Sequence, residues 1–315
     1  MSELSPPDVI LTHESDLDGF VSGLLLQRLA KQRFGTDVKL EAWNYQGWKN
    51  RQMSERVAWV SDFTFETRLD KSGWLVVDHH TTTNAPKQAQ LIHDVTKSAG
   101  LLVYELCRAD GVASPALDRL VQLNNIADLF LEDDPDFVTA QDYASLVKTY
   151  GFWDLHAVLG GDLEKLIDHP LLEVIQVKRR IEDPIGYDWS RQHVTAVTKQ
   201  LGYVETCVGN TNLIVYQLLD REATSHTTLV TLFRKANGLI VASFRSRDGS
   251  ALKIASQFQG GGHPNAAGAT LPRSVMSTKD AVDYLRKMLT TGSAPQGGGL
   301  NSLDSLLAGF QPKAS

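Results

Sequence analysis

The chain has 315 residues, more than one domain usually holds, with 42% hydrophobic and 22% charged residues, the make-up of a chain with a full core. Its 31 Lys and Arg stand against 37 Asp and Glu, a net charge of −6, which excludes a protein that coats long nucleic acid through a global basic excess. No apolar run reaches the roughly 20 residues that span a bilayer, and residues 1–8 lack the layout of a signal peptide; with Cys107 and Cys207 read as reduced core thiols, the expected setting is cytoplasmic.

In chain order, Asp8–Thr12 reads as a short buried strand leading into His13-Glu14-Ser15-Asp16-Leu17-Asp18-Gly19. A helix with Val21, Leu24, Leu25 and Leu29 at core spacing comes next. Val38–Trp43, Val57–Asp62 and Trp74–His80 read as further strands, and Ser98–Arg108 and Pro115–Asn125 as helices. Short apolar strands separated by helices imply an α/β unit with a parallel sheet covered on both faces.

From about Leu163 to Arg191 the pattern is polar and helical, with Pro170 and Pro184 expected to interrupt it. Beyond it, Leu213–Tyr216, Thr228–Phe233 and Leu239–Phe244 read as strands, the last two joined by a hairpin at Asn237-Gly238. A helix at Ser250–Phe258, a glycine-rich turn and a helix at Lys279–Thr290 complete a smaller mixed α/β unit. The expected organisation is therefore an α/β domain at 1–165, a helical linker at 166–192, a smaller mixed α/β domain at 193–291 and a flexible tail at 292–315. The tail carries linker chemistry at Gly292–Gly299 and then an apolar patch within 300–310. Two readings stand for that patch: a frayed end or a helix lying on its own domain, or a peptide that docks on a protein partner.

Acids and imidazoles recur at the carboxyl ends of the expected strands: His13, Asp16 and Asp18; Asp62; Asp78, His79 and His80; and, after a helix, Asp128. Ligands of parallel sheets gather at that edge. Asp16 and Asp18, two apart on one loop, repel unless a cation lies between them. Further acids and imidazoles at the same edge suggest two divalent ions, and mixed oxygen and nitrogen donors suit Mn²⁺, with Mg²⁺ or Co²⁺ as substitutes. Each element alone has a plainer reading as a solvated turn, helix cap or helix end; the joint order gives the cluster its weight. The remaining histidines (His93, His156, His169, His193 and His226) lack ligand-like spacing. Trp43, Trp48, Trp74 and Trp153 are able to stack a base, but packing is their expected role.

Thr12-His13-x-x-Asp16-Leu17-Asp18-Gly19, Asp62, Asp78-His79-His80 and Asp128 resemble the successive motifs of the DHH phosphoesterases. Phe244-Arg245-Ser246 and Gly260-Gly261-Gly262-His263-Pro264-Asn265-Ala266-Ala267-Gly268 resemble the signature of the DHH-associated C-terminal domain. The resemblance covers roughly residues 8–290. It implies that His13, Asp16 and Asp62 hold one metal, that Asp18, Asp62, His79 and Asp128 hold the other, and that Asp62 bridges them. It further implies that Asp78 supports the imidazoles and that His80 contacts the scissile phosphate. Arg245, Ser246, Gly260, Gly261, Gly262 and His263 are then the expected substrate-binding residues, with Arg247 a further candidate.

The reaction implied is hydrolysis of a phosphoester by hydroxide generated at the metals. By resemblance, the compact two-domain form implies short oligonucleotides, linear dinucleotides or nucleoside bisphosphates as substrates, held between the domains. The alternatives are a RecJ-like single-strand exonuclease, a cyclic-dinucleotide phosphodiesterase, or a non-catalytic nucleic-acid-binding scaffold. No membrane partner is expected, and a homodimer remains open.

Overall fold

The computed structural model describes residues 4–235 and 237–291. The tail, with its two readings for 300–310, lies outside the described residues. The chain forms two compact units, Met1–Ile181 and Glu182–Ser315.

The first unit is built on five parallel strands in the order β2-β1-β3-β4-β5: β1 (Val9–His13), β2 (Lys39–Trp43), β3 (Ala58–Ser61), β4 (Leu75–Asp78) and β5 (Gln90–His93). The expected parallel sheet is therefore present. β1, β3 and β4 are buried along their whole length, which is why they read as apolar runs. Val9, Leu11, Ala58 and Val60 pack with Trp48, Phe63 and Trp74 on one face. Two helices, α1 (Leu17–Phe34) and α3 (Ala99–Ala109), lie against the strands as well. Fully burying one such side chain contributes roughly 1.5–3 kcal/mol.

The rest of the unit is helical: α2 (Tyr45–Asn50), α4 (Pro115–Asp128), α5 (Phe137–Tyr150) and α6 (Phe152–Leu159). α4 runs through Asp128 rather than stopping at Asn125, so Asp128 stands on its last turn. α7 (Leu171–Gln192) also departs from expectation, because it continues through Pro184. Proline removes one backbone donor there, and both Pro184 and Arg180, whose carbonyl loses its helical partner, are exposed to solvent.

The second unit holds a mixed sheet in the order β10-β11-β9-β8-β7-β6: β6 (Val194–Ala196), β7 (Leu201–Val204), β8 (Thr228–Arg234), β9 (Ile240–Ser246), β10 (Gly261–His263) and β11 (Ala266–Thr270). All its pairs are antiparallel except β7 with β8. Ala242, Phe244, Ala267 and Ala269 turn inward onto α9 (Ser250–Ser256) and α10 (Thr278–Thr291). Leu213–Tyr216 is not a strand: it lies within α8 (Thr211–Asp220). Asn210 caps that helix by accepting from the N–H groups of Asn212 and Leu213, and Leu213, Ile214, Leu218 and Leu219 make its buried stripe. Cys107 is buried, as expected of a core thiol, whereas Cys207, in the loop before that cap, is exposed. No helix among the described residues is long and apolar enough to cross a membrane.

Candidate metal centre

β1, β3 and β4 are neighbours and parallel, so the residues at their carboxyl ends meet at one edge of the sheet. His13 ends β1, Asp62 comes directly after β3, Asp78 ends β4 with His79 and His80 after it, and Asp128 reaches them from α4. Three sets of donor atoms result, each within 4.8 Å of one another: His13, Asp16 and Asp62; Asp18, His79 and Asp128; and Asp62, Asp78 and His80. Asp62 stands between the first two sets. Its Oδ2 is 3.5 Å from His13 Nδ1 and its Oδ1 is 3.7 Å from His79 Nε2. Its backbone is left-handed at φ 57°, a strained state for a residue with a side chain.

Each donor is fixed by its own element. Asp16 divides its oxygens: Oδ1 accepts from Gly19 N at 3.0 Å as the cap of α1, and Oδ2 is 2.8 Å from His13 Nδ1. Gly19 is required there, because a Cβ would lie 2.0 Å from the His13 carbonyl oxygen. Asp78 Oδ1 is 2.8 Å from His80 Nδ1, and its Oδ2 accepts from His80 N at 3.2 Å, so one carboxylate sets the ring.

The charges do not balance by themselves. Burial raises Asp18 to about 6, with the Asp62 carboxylate adding to it, and burial with Asp18 and Asp62 lifts Asp128 well above the usual carboxylate range. Burial works against the charged form of His13 and His79, yet the surrounding carboxylates win and hold them at about 11 and about 9. Burial also opposes ionisation of Asp62, but His13 and His79 hold it well below the ordinary value. The pattern is of carboxylates crowded around a shortage of positive charge. Asp62 Oδ2 and Asp128 Oδ2 are buried with no hydrogen bond made to them. A divalent cation supplies what both features lack, so the donors fit such an ion.

In the second unit, directly opposed residues of adjacent strands share a face. Arg245 is opposite Ala266, and Ala266 is opposite His263; one step along, Ser243, Gly268 and Gly261 form a parallel row. The structure thus brings Arg245, His263 and Gly261 to one face of the sheet, over a floor of small residues. A Cβ on Gly261 would meet nothing within 4 Å. Burial lowers the Arg245 guanidinium to about 10, so it stays charged at neutral pH. Of the three glycines expected to bind substrate, two are packed tightly into the fold. Gly260 N donates to Ala255 O at 3.0 Å, and a Cβ on Gly260 would come 2.2 Å from the Gly268 carbonyl oxygen. Gly262 is equally tight against Ala266 and Ala267, so only Gly261 opens outward. The Ser246 hydroxyl is likewise committed to the fold, accepting from Ala251 N at 3.0 Å. Arg247 pairs with Glu222 at 3.1 Å.

Residues 203–291 match the sequence profile of the DHHA1 domain. The chain carries a DHHA1 domain. Around that domain, the fold as a whole resembles that of three solved structures. The pGpG-specific phosphodiesterase PggH from Vibrio cholerae is 15% identical with a TM-score of 0.54, over 90% of this chain and 98% of that one. The exonuclease RecJ bound to manganese is 15% identical with a TM-score of 0.59, over 91% and 90%. RecJ from Thermus thermophilus, in complex with Mn²⁺, is 16% identical with a TM-score of 0.56, over 91% of this chain but 52% of the longer one. No curated protein matches the chain in sequence. The fold is thus the DHH type with its DHHA1 domain, as the motifs led one to expect.

Several residues that build the DHH-side cluster escape sequence reasoning. Asp18 accepts from Ala99 N at 2.8 Å, Gly100 N at 2.7 Å and Asn124 Nδ2 at 2.6 Å, so the first turn of α3 and a buried amide from α4 hold it. Behind the cluster, the Thr12, Ser22 and Ser61 hydroxyls form a fully buried chain, with Ser22 to Ser61 at 2.9 Å and Ser61 to Thr12 at 3.1 Å. Thr12 and Ser61 each directly precede a donor residue, and that adjacency was the available signal. The Tyr45 ring lies 4.7 Å from the His13 ring, and no motif marked it.

Proposed function

We propose that the chain is a divalent-metal-dependent phosphoester hydrolase acting on short oligonucleotides, linear dinucleotides or nucleoside bisphosphates. The observation that carries this reading is Asp62, with one carboxylate oxygen directed to each of two donor sets. In this reading His13, Asp16 and Asp62 hold one ion, preferably Mn²⁺, and Asp18, Asp62, His79 and Asp128 hold the second. Such ions supply charge neutralisation on phosphate oxygens and a lowered pKa for water.

The residues of the chain do the rest. Asp78 fixes the His80 ring through Nδ1, so Nε2 is the nitrogen that serves the phosphate or the leaving oxygen. Asn124 and the start of α3 keep Asp18 in place while it is charged. Arg245 and His263 grip a second phosphate or a base over Gly261, where the guanidinium suits phosphate oxygens in a bidentate manner. Residues 1–165 serve as the catalytic domain and 193–291 as the substrate domain. The likeness to PggH and RecJ supports a nucleotide or nucleic-acid substrate, and the net charge of −6 favours a short one. A complete donor set speaks against a non-catalytic scaffold.

The test is a panel of RNA and DNA oligomers from two nucleotides upward, cyclic dinucleotides and nucleoside bisphosphates, incubated with the full chain and Mn²⁺. Release of mononucleotide or phosphate that falls steeply with oligomer length is expected. Correctly folded, metal-loaded protein that turns over none of them would overturn the proposal, and efficient attack on long single strands would favour the RecJ-like alternative.

A further inference from the structure

Of the four tryptophans able to stack a base, Trp48 and Trp74 are core residues, 4% and 0% exposed. The other two line one cavity. It has a volume of about 400 Å³ and runs beside the end of β2, walled by Trp43, Trp153, Glu14, Asn44, Lys39 and Glu41 among others. Trp43 is the direct partner of His13 across the β1–β2 ladder, and Glu14 N donates to Trp43 O at 3.1 Å. The cavity therefore begins one strand, about 4.8 Å, from a donor of the metal centre. A phosphate held at those donors leaves its own nucleoside within reach of it.

The walls have a consistent chemistry. Trp43 is fixed, its Nε1 donating to Glu41 at 3.0 Å and the Arg51 guanidinium lying 5.6 Å from its ring centre. Trp153 is the available surface: its ring lies 5.0 Å from that of Phe152 and 5.6 Å from that of His156, yet it stays 45% exposed, while Phe152, Leu155 and Leu159 are the buried residues of α6. Asn44 Oδ1 accepts from Gly47 N and Asn44 Nδ2 donates to Glu14 Oε1 at 2.9 Å, which sets the Glu14 carboxylate. Lys39 is already paired with Glu41 at 2.7 Å. Two carboxylates and a neutralised lysine repel a phosphate, whereas an indole and an acceptor-only group suit a flat ring that carries N–H donors.

We propose that this cavity is a nucleobase subsite of the DHH-side unit, in which Trp153 stacks on the base and Glu14 accepts from its exocyclic amino group. Amino-bearing bases are then preferred over uracil, which presents a single ring N–H flanked by carbonyl oxygens. The proposal rests on the phosphoesterase reading for its substrate, and its test separates the two.

The experiment measures KM and kcat of the full chain with Mn²⁺ on a 5′-phosphorylated diadenylate, the matching diuridylate, and diadenylate lacking either base in turn. Trp153→Ala is expected to raise KM for diadenylate about tenfold, as loss of one base–aromatic stack does, and Trp153→Phe to restore most of it. Removing the base and removing the indole should not add, because both delete the same contact. Glu14→Gln should narrow the preference for diadenylate over diuridylate. Additive losses, or a KM for Trp153→Ala within twofold of the parent, overturn the subsite. If the parent chain hydrolyses no dinucleotide, the reading of the reaction fails instead. The subsite is then judged by saturable quenching of tryptophan fluorescence with adenosine 5′-monophosphate: quenching lost in Trp153→Ala upholds it, and no quenching overturns it.

Discussion

The two units present their chemistry in opposite ways. In the first, charged donors are crowded at strand ends and immobilised by caps, buried hydroxyls and the start of α3, so that their positions are over-determined. In the second, Arg245 and His263 share a face with Gly261 and other small residues, which matter for the room they leave. A centre that holds ions needs many converging groups at fixed distances, while a face that receives a ligand needs little beyond an unobstructed floor and one or two charges. Substitutions should therefore fail differently in the two places.

The largest effect is expected at Asp62, the residue shared by two donor sets. Asp62→Ala should lower kcat by roughly 10²–10³-fold and reduce the bound metal, read by elemental analysis of the purified protein. Retention of both ions by this variant would break the contrast, because the crowded site would then not need its central group.

Asn124 comes next. Asn124→Ala removes a 2.6 Å hydrogen bond to a fully buried carboxylate, and loss of such a supporting contact typically weakens metal affinity roughly 10–100-fold. Titration of the metal-free chain with Mn²⁺ by calorimetry checks it.

In the second unit two adjacent glycines should part company. Gly260→Ala forces a Cβ against the Gly268 carbonyl and should destabilise by about 1–3 kcal/mol. Gly261→Ala enters open space and should leave the melting temperature nearly unchanged while raising KM. Chemical denaturation and steady-state kinetics on the pair sharpen the distinction between a residue that closes the fold and one that opens outward from it.

The smallest effect is on stability with pH. Asp18 at about 6, His79 at about 9 and His13 at about 11 all lie above their unfolded values of 3.8, 6.5 and 6.5. Each contributes stability that is complete below its unfolded pKa and lost as the pH rises through the folded one. The chain in EDTA should therefore melt a few degrees lower at pH 8.5 than at pH 6. Saturating Mn²⁺ should remove most of that difference, because a cation takes the deprotonated donors. The depressed pKa of Asp62 acts only below 3.8, outside this range. Thermal melts at the two pH values, with and without metal, decide it.

Legibility in the sequence followed the same division. Fully buried parallel strands such as Val9–His13 and Leu75–Asp78 announce themselves as apolar runs, and the acids and imidazoles that end them are conspicuous for their order. Leu213–Tyr216 misled because four apolar residues carry no period, and the decisive cap, Asn210, is an ordinary polar residue in a loop. Asn124 was invisible for a related reason: a single amide within a helix looks like surface until tertiary structure buries it against Asp18. The glycine run showed that a special backbone was present, but only packing separated the closed Gly260 from the open Gly261. Trp153 resembled any core tryptophan until the other residues of α6 claimed the interior.

The donors at the sheet edge are drawn from positions 13 to 128, nearly the whole run of β1 through α4. An ion held by both ends of that span acts as a reversible cross-link, closing a long loop that the unfolded chain closes only at an entropic cost. Metal supply would thus set the resistance of the first unit to proteolysis, so that loss of the cation would expose the run from β1 to α4 to cleavage.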